Sequence, residues 1–408
     1  MTEHIDVTGL WQRRVSTRVV ADRARGGHAR SIYIHVPFCF HKCHYCDFYS
    51  IVDSRDRQGV FVDRLIQEFD AWIAPARPGS IDTVFVGGGT PTLLRVELWE
   101  RLLEAMGERF DLGGDPEFTV ECNPETASSE LFDVLRTGGV NRLSFGAQSF
   151  NPTHLKTLER WHDPASVPRA IELAGSAGID RLSLDLIFAI PGQTLDEWHD
   201  DLTRALSMGV DHLSAYNLTY EPNTAMTKRL QRGEFEPTGD DLEADMYERT
   251  LETLHEHGLE RYEVSNYARP GLECAHNLAY WRQRDWLAFG PSASGHLGGW
   301  RWKNSPRLDE YLNSDGFSPA IDVEEPDAKR NLAEWIMTGM RIAEGLDAEE
   351  LLARAESLGT DAPGRLNDAA RVHEQLGRIT IGDRWRLTES GFLFADGIAG
   401  DLMAALDR

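Results

Sequence analysis

Residues 35–48 read HVPFCFHKCHYCDF and hold three of the five cysteines of the chain within eight positions. This stretch directly follows Ser31–His35, a short run whose composition predicts a β-strand. The stretch is therefore expected to form a loop at the C-terminal end of a strand, which is where barrel enzymes carry their active sites. Three clustered cysteines in an odd total indicate a metal site rather than a disulfide framework.

The chemistry of the loop favours an iron–sulfur cluster. Such clusters prefer thiolate ligands and usually take four, whereas this loop supplies Cys39, Cys43 and Cys46. A cluster held by three thiolates has one open iron, which can chelate a small molecule through an amine and a carboxylate. The alternative is a zinc site with His41 or His44 as the fourth ligand. Zinc sites usually pair a C-x2-C with a distant second pair, and this spacing does not follow that pattern.

From Ser31 onward, short β-rich runs alternate with amphipathic helical segments, which predicts an α/β fold with a parallel sheet and crossover helices. Six repeats suggest either a partial barrel or an open doubly wound sheet, and we favour a curved, partial (β/α)6 TIM-like barrel. The strands are expected at Ser31–His35, Thr83–Gly87, Glu117–Glu121, Arg142–Phe145, Arg181–Phe188 and His212–Leu218. The helices are expected at Val60–Trp72, Pro168–Ala177, Leu195–Met208 and Leu242–His257.

The distribution of predicted strands and helices divides the chain into four predicted parts. Residues 1–30 form an N-terminal basic extension, and residues 31–259 form the α/β core. Residues 260–325 are a connecting segment rich in aromatic residues, without a clear β/α rhythm. Residues 326–408 are expected to form a small helical or winged-helix-like domain that ends in a short hairpin and a helix.

The composition limits the classes of partner. The 408 residues carry a formal net charge of −24, which would repel phosphate backbones, so nucleic acid is not expected as a partner. No apolar run approaches the ~20 residues of a membrane span, and Met1–Leu10 lacks the pattern of a secretory signal. The unpaired cysteines are typical of a reducing compartment, so we expect a cytoplasmic protein without a membrane span.

Further polar residues fall at the C-terminal ends of the predicted strands. The turn Gly87-Gly-Gly-Thr90 lets the backbone approach a ligand closely, although such glycines alone are also typical of a generic turn. Glu121 is placed to bind a cationic amine, and Arg160 is able to pair with a carboxylate, although a lone arginine is more often a surface charge. Asp185 lies inside an apolar strand, where it needs partners such as ribose hydroxyls.

The spacing C-x3-C-x2-C with an aromatic residue before the third cysteine is the signature that identifies radical S-adenosylmethionine (SAM) proteins. The longer string from Tyr33 to Phe48 resembles the branch that contains oxygen-independent coproporphyrinogen III oxidases and the HemW heme chaperones. This resemblance implies a [4Fe–4S] cluster on the three loop cysteines, an electron donor for it, and the binding and cleavage of SAM. It implies SAM contacts at Tyr33, Tyr45, Gly88, Gly89, Thr90, Glu121, Gln148, Arg160 and Asp185.

Two features of this sequence depart from the pattern of the coproporphyrinogen oxidases. Phe48 stands where the oxidases carry a fourth cysteine, and residues 276–281 read HNLAYW, which resembles the HNxxYW motif of the HemW family. The resemblance implies heme binding at His276, Asn277, Tyr280 and Trp281, and transfer of heme to acceptor heme proteins. The alternative function is conversion of coproporphyrinogen III to protoporphyrinogen IX, which Phe48 argues against. The residues alone favour a hydrogen-bonded structural role for His276 among packed aromatic side chains, and it is the motif resemblance that favours heme binding there.

Overall fold

The computed structural model describes residues 15–24 and 27–407. Most of the predicted basic extension, residues 1–14 together with 25 and 26, lies outside the described residues. What is described of it forms a short strand and a short helix. The four-part division of the chain stays a prediction.

The elements are numbered in chain order. The strands are β1 Val15–Ser16, β2 Ser31–Val36, β3 Thr83–Gly88, β4 Glu117–Cys122, β5 Arg142–Gln148, β6 Arg181–Phe188, β7 His212–Asn217, β8 Glu260–Arg261, β9 Asn266–Ala268, β10 Trp286–Phe289, β11 Ser294–Leu297, β12 Trp300–Asn304, β13 Pro319–Glu324, β14 Leu346–Asp347, β15 Ile379–Thr380 and β16 Arg384–Leu387. The helices are α1 Arg18–Arg23, α2 Gln58–Ala76, α3 Val96–Arg109, α4 Ser129–Thr137, α5 Pro152–Thr157, α6 Ser166–Ser176, α7 Leu195–Leu206, α8 Ala225–Gln231, α9 Asp240–Glu256, α10 Ala275–Trp281, α11 Leu308–Leu312, α12 Ala328–Gly339, α13 Ala348–Glu356, α14 Ala362–Gln375 and α15 Ala395–Ala404. Short 3-10 turns lie at Pro91–Leu93, Pro124–Thr126 and Ser390–Phe394.

The predicted α/β class is confirmed. Each of the six predicted strands is present as β2 to β7, and the four predicted helices are present as α2, α6, α7 and α9. Local signals explain several of the boundaries. Helix α7 begins where the sequence predicts because Thr194 and Glu197 form a reciprocal capping box at its N-terminus.

The chain divides into two compact units. The first unit contains the described residues up to Phe40, Tyr49–Pro116 and Asp285–Pro326. Its strands follow the order β1-β13-β12-β11-β10-β2-β3, in which β10, β2 and β3 are parallel and the remaining pairs are antiparallel. Strand β10 is a parallel neighbour of β2 that the sequence pattern did not reveal, because it is only four residues long.

Helix α2 of this first unit buries a charged residue. Glu68 is fully buried and accepts hydrogen bonds from the Gly290 amide at 2.9 Å, from the Tyr311 hydroxyl at 2.9 Å and from Ser318. The Asn304 side chain also donates to it, at 3.3 Å. Burial raises the pKa of this carboxyl, and the charge of nearby Arg64 opposes that rise. These donors fasten α2 to the residue after β10, to the end of β12, to α11 and to the residue before β13.

The second unit contains His41–Phe48, Glu117–Arg284 and the described residues from Asp327 onward. Strands β4, β5, β6 and β7 are parallel neighbours in that order, and β9 and β8 continue the sheet in antiparallel pairing. Successive side chains alternate between the two faces of these strands. One face carries the buried apolar side chains Phe118, Val120, Leu143, Phe145, Leu184, Leu186 and Leu213. The other carries Glu117, Thr119, Glu121, Arg142, Ser144, Ser183, Asp185, His212 and Ser214, and we call it the polar face.

The C-terminal part of the second unit is mainly helical. Helices α12 to α15 and a three-stranded antiparallel sheet of order β14-β16-β15 enclose an apolar core that includes Leu332, Ile336, Trp385 and Leu402. The predicted hairpin followed by a terminal helix is present as β15, β16 and α15. In the described part of the chain, every helix falls short of the length or the apolar character that crossing a bilayer requires.

The Glu68 network generates a stability prediction. Glu68→Ala removes an acceptor that four buried donors share, so we expect the free energy of unfolding to fall by about 3–5 kcal/mol. Urea denaturation followed by circular dichroism measures this change. Glu104→Ala, at an exposed position of α3, is the matched control and is expected to shift stability by less than about 0.5 kcal/mol. Equal urea midpoints for the two variants would contradict the assignment.

Candidate functional site

The end of β2 and the glycine turn after β3 hold each other inside the first unit. The amides of Gly89 and Thr90 donate to the carbonyls of Val36 and Phe38, each at 2.7 Å. A Cβ on Gly89 would lie 2.7 Å from the Phe38 carbonyl oxygen, so only glycine allows this approach. The Thr90 hydroxyl donates to the Cys39 sulfur at 3.7 Å. The glycine turn, which the sequence predicts to contact a ligand, therefore also positions Cys39. Two of its amides are used for this purpose.

His35 links this turn to Tyr33. The His35 Nε2 lies 2.8 Å from the Tyr49 carbonyl, to which it must donate, so Nδ1 is left to accept from the Tyr33 hydroxyl at 3.0 Å. Burial lowers the pKa of His35 to about 4, which keeps the ring neutral and this pattern intact. Gly88 has φ +113°, and a Cβ there would lie 2.7 Å from the His35 ring. The Gly88 conformation is thus a requirement of the site.

The rest of the cysteine loop belongs to the second unit, where Cys43 and Cys46 flank Tyr45. The Cys46 amide donates to the Cys43 carbonyl at 3.3 Å, which closes a turn between them. Arg160 donates through Nη1 to the Cys43 sulfur at 3.8 Å and through Nη2 to the Gly146 carbonyl at 2.8 Å. Hydrogen bonds to thiolate sulfurs are one of the means by which proteins tune iron–sulfur clusters.

Tyr45 is anchored by apolar contacts. Its ring packs against the buried side chains of Leu158, Ile187, Ile190, Leu218 and Met226. Burial is the largest effect on its hydroxyl and raises the pKa, and the charge of Arg160 acts in the opposite direction. The phenol therefore stays protonated and is available as a hydrogen-bond donor.

Gln148 lies at an irregularity where β5 leaves the sheet. The register with β6 shifts between Gly146 and Gln148, and Gln148 has φ +64°, a conformation that usually costs about 1–3 kcal/mol in a residue other than glycine. The two residues that follow Gln148 are fixed by Asp201, which accepts from the Ser149 hydroxyl at 2.6 Å and from the Phe150 amide at 2.7 Å. These bonds help to maintain the strained conformation.

The carboxylates predicted on β4 and β6 both lie on the polar face. Asp185 is half-buried and accepts from the Ser144 hydroxyl at 3.1 Å and from the Ser214 hydroxyl at 2.8 Å. The sequence predicts that Asp185 needs hydroxyl partners, such as those of a ribose. In the structure, the two serine hydroxyls are such partners. Burial raises the pKa of Asp185, and the serine hydrogen bonds oppose the rise. Glu121 is half-buried at the end of β4, next to the buried Cys122 that points to the apolar face.

The donor set fits an iron–sulfur cluster. Cys39, Cys43 and Cys46 are partly exposed, and the first two accept hydrogen bonds at sulfur, whereas Cys122 and Cys274 are buried. The structure brings Cys43, Cys46, Tyr45 and Arg160 together in the second unit, which also holds Glu121, Gln148 and Asp185. It brings Cys39 together with Tyr33, Gly88, Gly89 and Thr90 in the first unit. The complete ligand set stays a prediction.

The HNLAYW motif forms α10 in the second unit, on a buried polar network. The Glu117 carboxylate accepts from the amides of Ala275 and His276, at 2.9 and 3.0 Å, and from the Cys274 thiol at 3.4 Å. His276 is only 1% exposed, and its Nε2 lies 2.9 Å from the hydroxyl of Tyr280. The imidazole predicted to bind heme is therefore enclosed in a hydrogen-bonded cluster.

Several residues that build the site were not singled out from the sequence. Ser144 and Ser214 position Asp185, and Glu117 caps the HNLAYW motif. Their signal was the two-residue period of β4 to β7, in which each strand alternates one apolar and one polar residue. That period identifies the face, whereas the cross-strand register decides which serine meets which carboxylate.

Comparison with known proteins places this site in a family. The Radical SAM superfamily model matches residues 33–205. The Heme chaperone HemW of Bacillus subtilis is 34% identical over 385 residues, which cover 92% of this chain and 100% of that protein. The Heme chaperone HemW of Mycobacterium tuberculosis is 36% identical over 387 residues, which cover 92% of this chain and 95% of that protein.

A solved structure shares the fold. The coproporphyrinogen III oxidase (HemN) from Escherichia coli matches with a TM-score of 0.82, covers 94% of this chain and 92% of its own, and is 22% identical. The fold and the cysteine motif therefore define a radical SAM protein, and the fold type expected from the sequence is confirmed. Within that class, the chain belongs to the HemW family, because its relatives exceed 30% identity over nearly their whole length.

Gly88 provides a test of the first half of the site. Gly88→Ala forces a side chain into the His35 ring at a left-handed position, which costs about 1–3 kcal/mol of local strain. We expect less iron and sulfide to be retained after anaerobic reconstitution, as measured by chemical analysis and cluster absorbance. Gly79→Ala is the control, since its added Cβ meets nothing within 4 Å. Equal iron content in both variants would refute the positioning role of this glycine.

His276 provides a pH test. Burial, assisted by the charge of Arg142, lowers its pKa to about 3, whereas the unfolded chain protonates this ring near 6.5. Below that upper value the unfolded state binds a proton that the folded state does not, so stability falls as the pH falls. Between about pH 7.5 and pH 5, we expect the free energy of unfolding of His276→Gln to fall by roughly 2 kcal/mol less than that of the wild type. Urea denaturation at the two pH values measures this difference. Parallel pH profiles would show that His276 does not titrate in this way.

Proposed function

We propose that this chain is a heme chaperone that binds a [4Fe–4S] cluster and SAM. The observation that carries the proposal is full-length similarity to relatives named Heme chaperone HemW, in a chain with Phe48 where the oxidases have a fourth cysteine. The cluster ligands would be Cys39, Cys43 and Cys46. The SAM contacts would come from Tyr33, Tyr45, Gly88, Gly89, Thr90, Glu121, Gln148, Arg160 and Asp185.

The chemistry that the cluster and SAM supply together when bound is a one-electron reductive cleavage of SAM. The chain's own residues would orient the ligand for it. The Arg160 guanidinium would pair with a carboxylate while it donates to the Cys43 sulfur. Asp185, held by Ser144 and Ser214, would accept from hydroxyl groups of the ligand. Tyr45 would donate its hydroxyl hydrogen.

The names of the relatives support heme as the cargo and heme proteins as its acceptors. We propose that the chain binds heme and passes it to acceptor heme proteins, that an electron donor reduces the cluster, and that it acts in the cytoplasm. His276, Asn277, Tyr280 and Trp281 are the heme-binding candidates of the sequence analysis. Because His276 is buried and its Nε2 is bonded to Tyr280, iron ligation by this nitrogen would require that bond to break and the ring to become accessible.

The second candidate function is oxidation of coproporphyrinogen III, which the fold shared with HemN favours. Two observations argue against it. The position of the fourth cysteine of the oxidases is occupied by a phenylalanine, and that Phe48 side chain is 62% exposed in the second unit. An exposed phenyl ring replaces a thiol with a group that has no redox or metal-binding chemistry, so heme transport is the better supported function.

The two functions separate in one experiment on the cluster-reconstituted protein. We expect the holoprotein to bind heme with saturation near one equivalent, and to convert coproporphyrinogen III no faster than a protein-free control under strict anaerobiosis with SAM and a reductant. Optical titration and chromatography of the porphyrins provide the two measurements. Porphyrinogen turnover without saturable heme binding would overturn the chaperone function in favour of the oxidase.

A further inference from the structure

A pocket of about 310 Å3 opens in the second unit, between α5 and the segment that leads to α6. Its volume is at the lower end of the ~300–1,000 Å3 that small-molecule sites usually occupy. It therefore has room for one edge of a large flat ligand, while the remainder of such a ligand would extend over the neighbouring surface. The pocket is lined by Pro152, Leu155, Lys156, Glu159, Arg160, Trp161, His162 and Pro164.

His162 is the unusual member of this lining. Its ring is half-buried, and neither ring nitrogen has a hydrogen-bond partner within the described residues. Enclosing such a group without a partner is unfavourable. Burial and the charge of Arg160 lower the pKa of the ring to about 4, so the imidazole is neutral at physiological pH. A neutral imidazole that lacks a hydrogen bond gains a partner by binding a metal ion.

Trp161 adds a flat apolar surface beside this imidazole. Its side chain is 59% exposed, which is unusual for the largest apolar residue of a soluble protein. The His41 ring stacks on it with 4.0 Å between centroids and an angle of 7° between planes. The indole N–H donates to Glu159 at 3.2 Å, which fixes the ring and engages the one acidic side chain of the lining.

Two cations complete the pocket. Lys156 is exposed at its rim, and Arg160 lines it while donating to the sulfur of Cys43. The lining thus combines a flat aromatic surface, two positive charges and an imidazole that needs a partner. A planar apolar ring with carboxylate substituents and a central metal ion matches all of these features, and heme is the ligand of that chemistry.

We propose that this pocket binds an edge of heme, with Trp161 against the porphyrin, Lys156 toward a propionate, and His162 as an axial ligand to the iron. The inference rests on the proposed function and deepens it by naming where the cargo binds. The His162 ring must turn toward the pocket to ligate iron, which exchanges an unsatisfied nitrogen for a metal bond. His276 would instead have to break its bond to Tyr280 and leave a fully enclosed site.

The test is titration of the cluster-reconstituted holoprotein with ferric heme and, separately, with metal-free protoporphyrin IX. For His162→Ala we expect at least about tenfold weaker heme binding, or ~1.4 kcal/mol, with a changed Soret band and a changed ferric heme EPR spectrum. Its affinity for protoporphyrin IX is expected to stay unchanged, because that ligand has no iron. Trp161→Ala is expected to weaken the binding of both porphyrins.

His255→Ala is the matched control, since it removes an exposed histidine of α9 that pairs with Glu260 at the surface. Circular dichroism and cluster absorbance establish that each variant is folded and loaded. Heme binding with the same affinity and spectra in wild type and His162→Ala would overturn this pocket and leave the chaperone function standing. Loss of the heme spectrum in His276→Ala alone would also overturn it. A wild-type holoprotein that takes up no heme would overturn the proposed function itself.

Discussion

Neighbouring side chains of a β-strand point to opposite faces of the sheet. In β4 to β7 this alternation places apolar side chains on one face and polar side chains on the other. The apolar face packs inside the second unit, so every other position is left to charged and hydroxyl side chains. A polar residue on this face is expensive unless a neighbouring strand supplies its partner. Parallel register supplies it here, because Asp185 lies opposite Ser214 and within reach of Ser144.

The same polar face continues into the support for α10. Ser183 contacts the His212 ring at 2.7 Å, and the other nitrogen of His212 lies 2.8 Å from the Tyr262 hydroxyl. Glu117, from the start of β4, then binds the first turn of the helix that carries His276. The polar face of β4 to β7 therefore supports both Asp185 and the HNLAYW motif, and a missing partner on it would leave buried groups unsatisfied.

Much of the fold and of the candidate site was predictable because the signals are local. The hydrophobic periods gave β2 to β7 and four helices with boundaries within a few residues, and the thiol spacing of Cys39, Cys43 and Cys46 needs no tertiary information. Strand β10 was missed, since four residues are too few to establish a period. The environment of His276 could not be predicted, because a motif specifies residue types and does not identify the Glu117 carboxylate, which is 159 positions away in the chain.

The sequence by itself determined the class of the protein: an α/β chain whose cysteine spacing defines a radical SAM protein and whose second motif indicates the HemW family. Only the tertiary structure decided the roles of individual groups. It showed that Gly89 and Thr90 use their amides to hold the segment that leads from β2 to Cys39, that serines hold Asp185, and that His276 is enclosed while His162 lines a pocket. The physical reason is that hydrogen-bond partners and burial depend on residues distant in the chain, whereas spacing and period are properties of neighbouring positions.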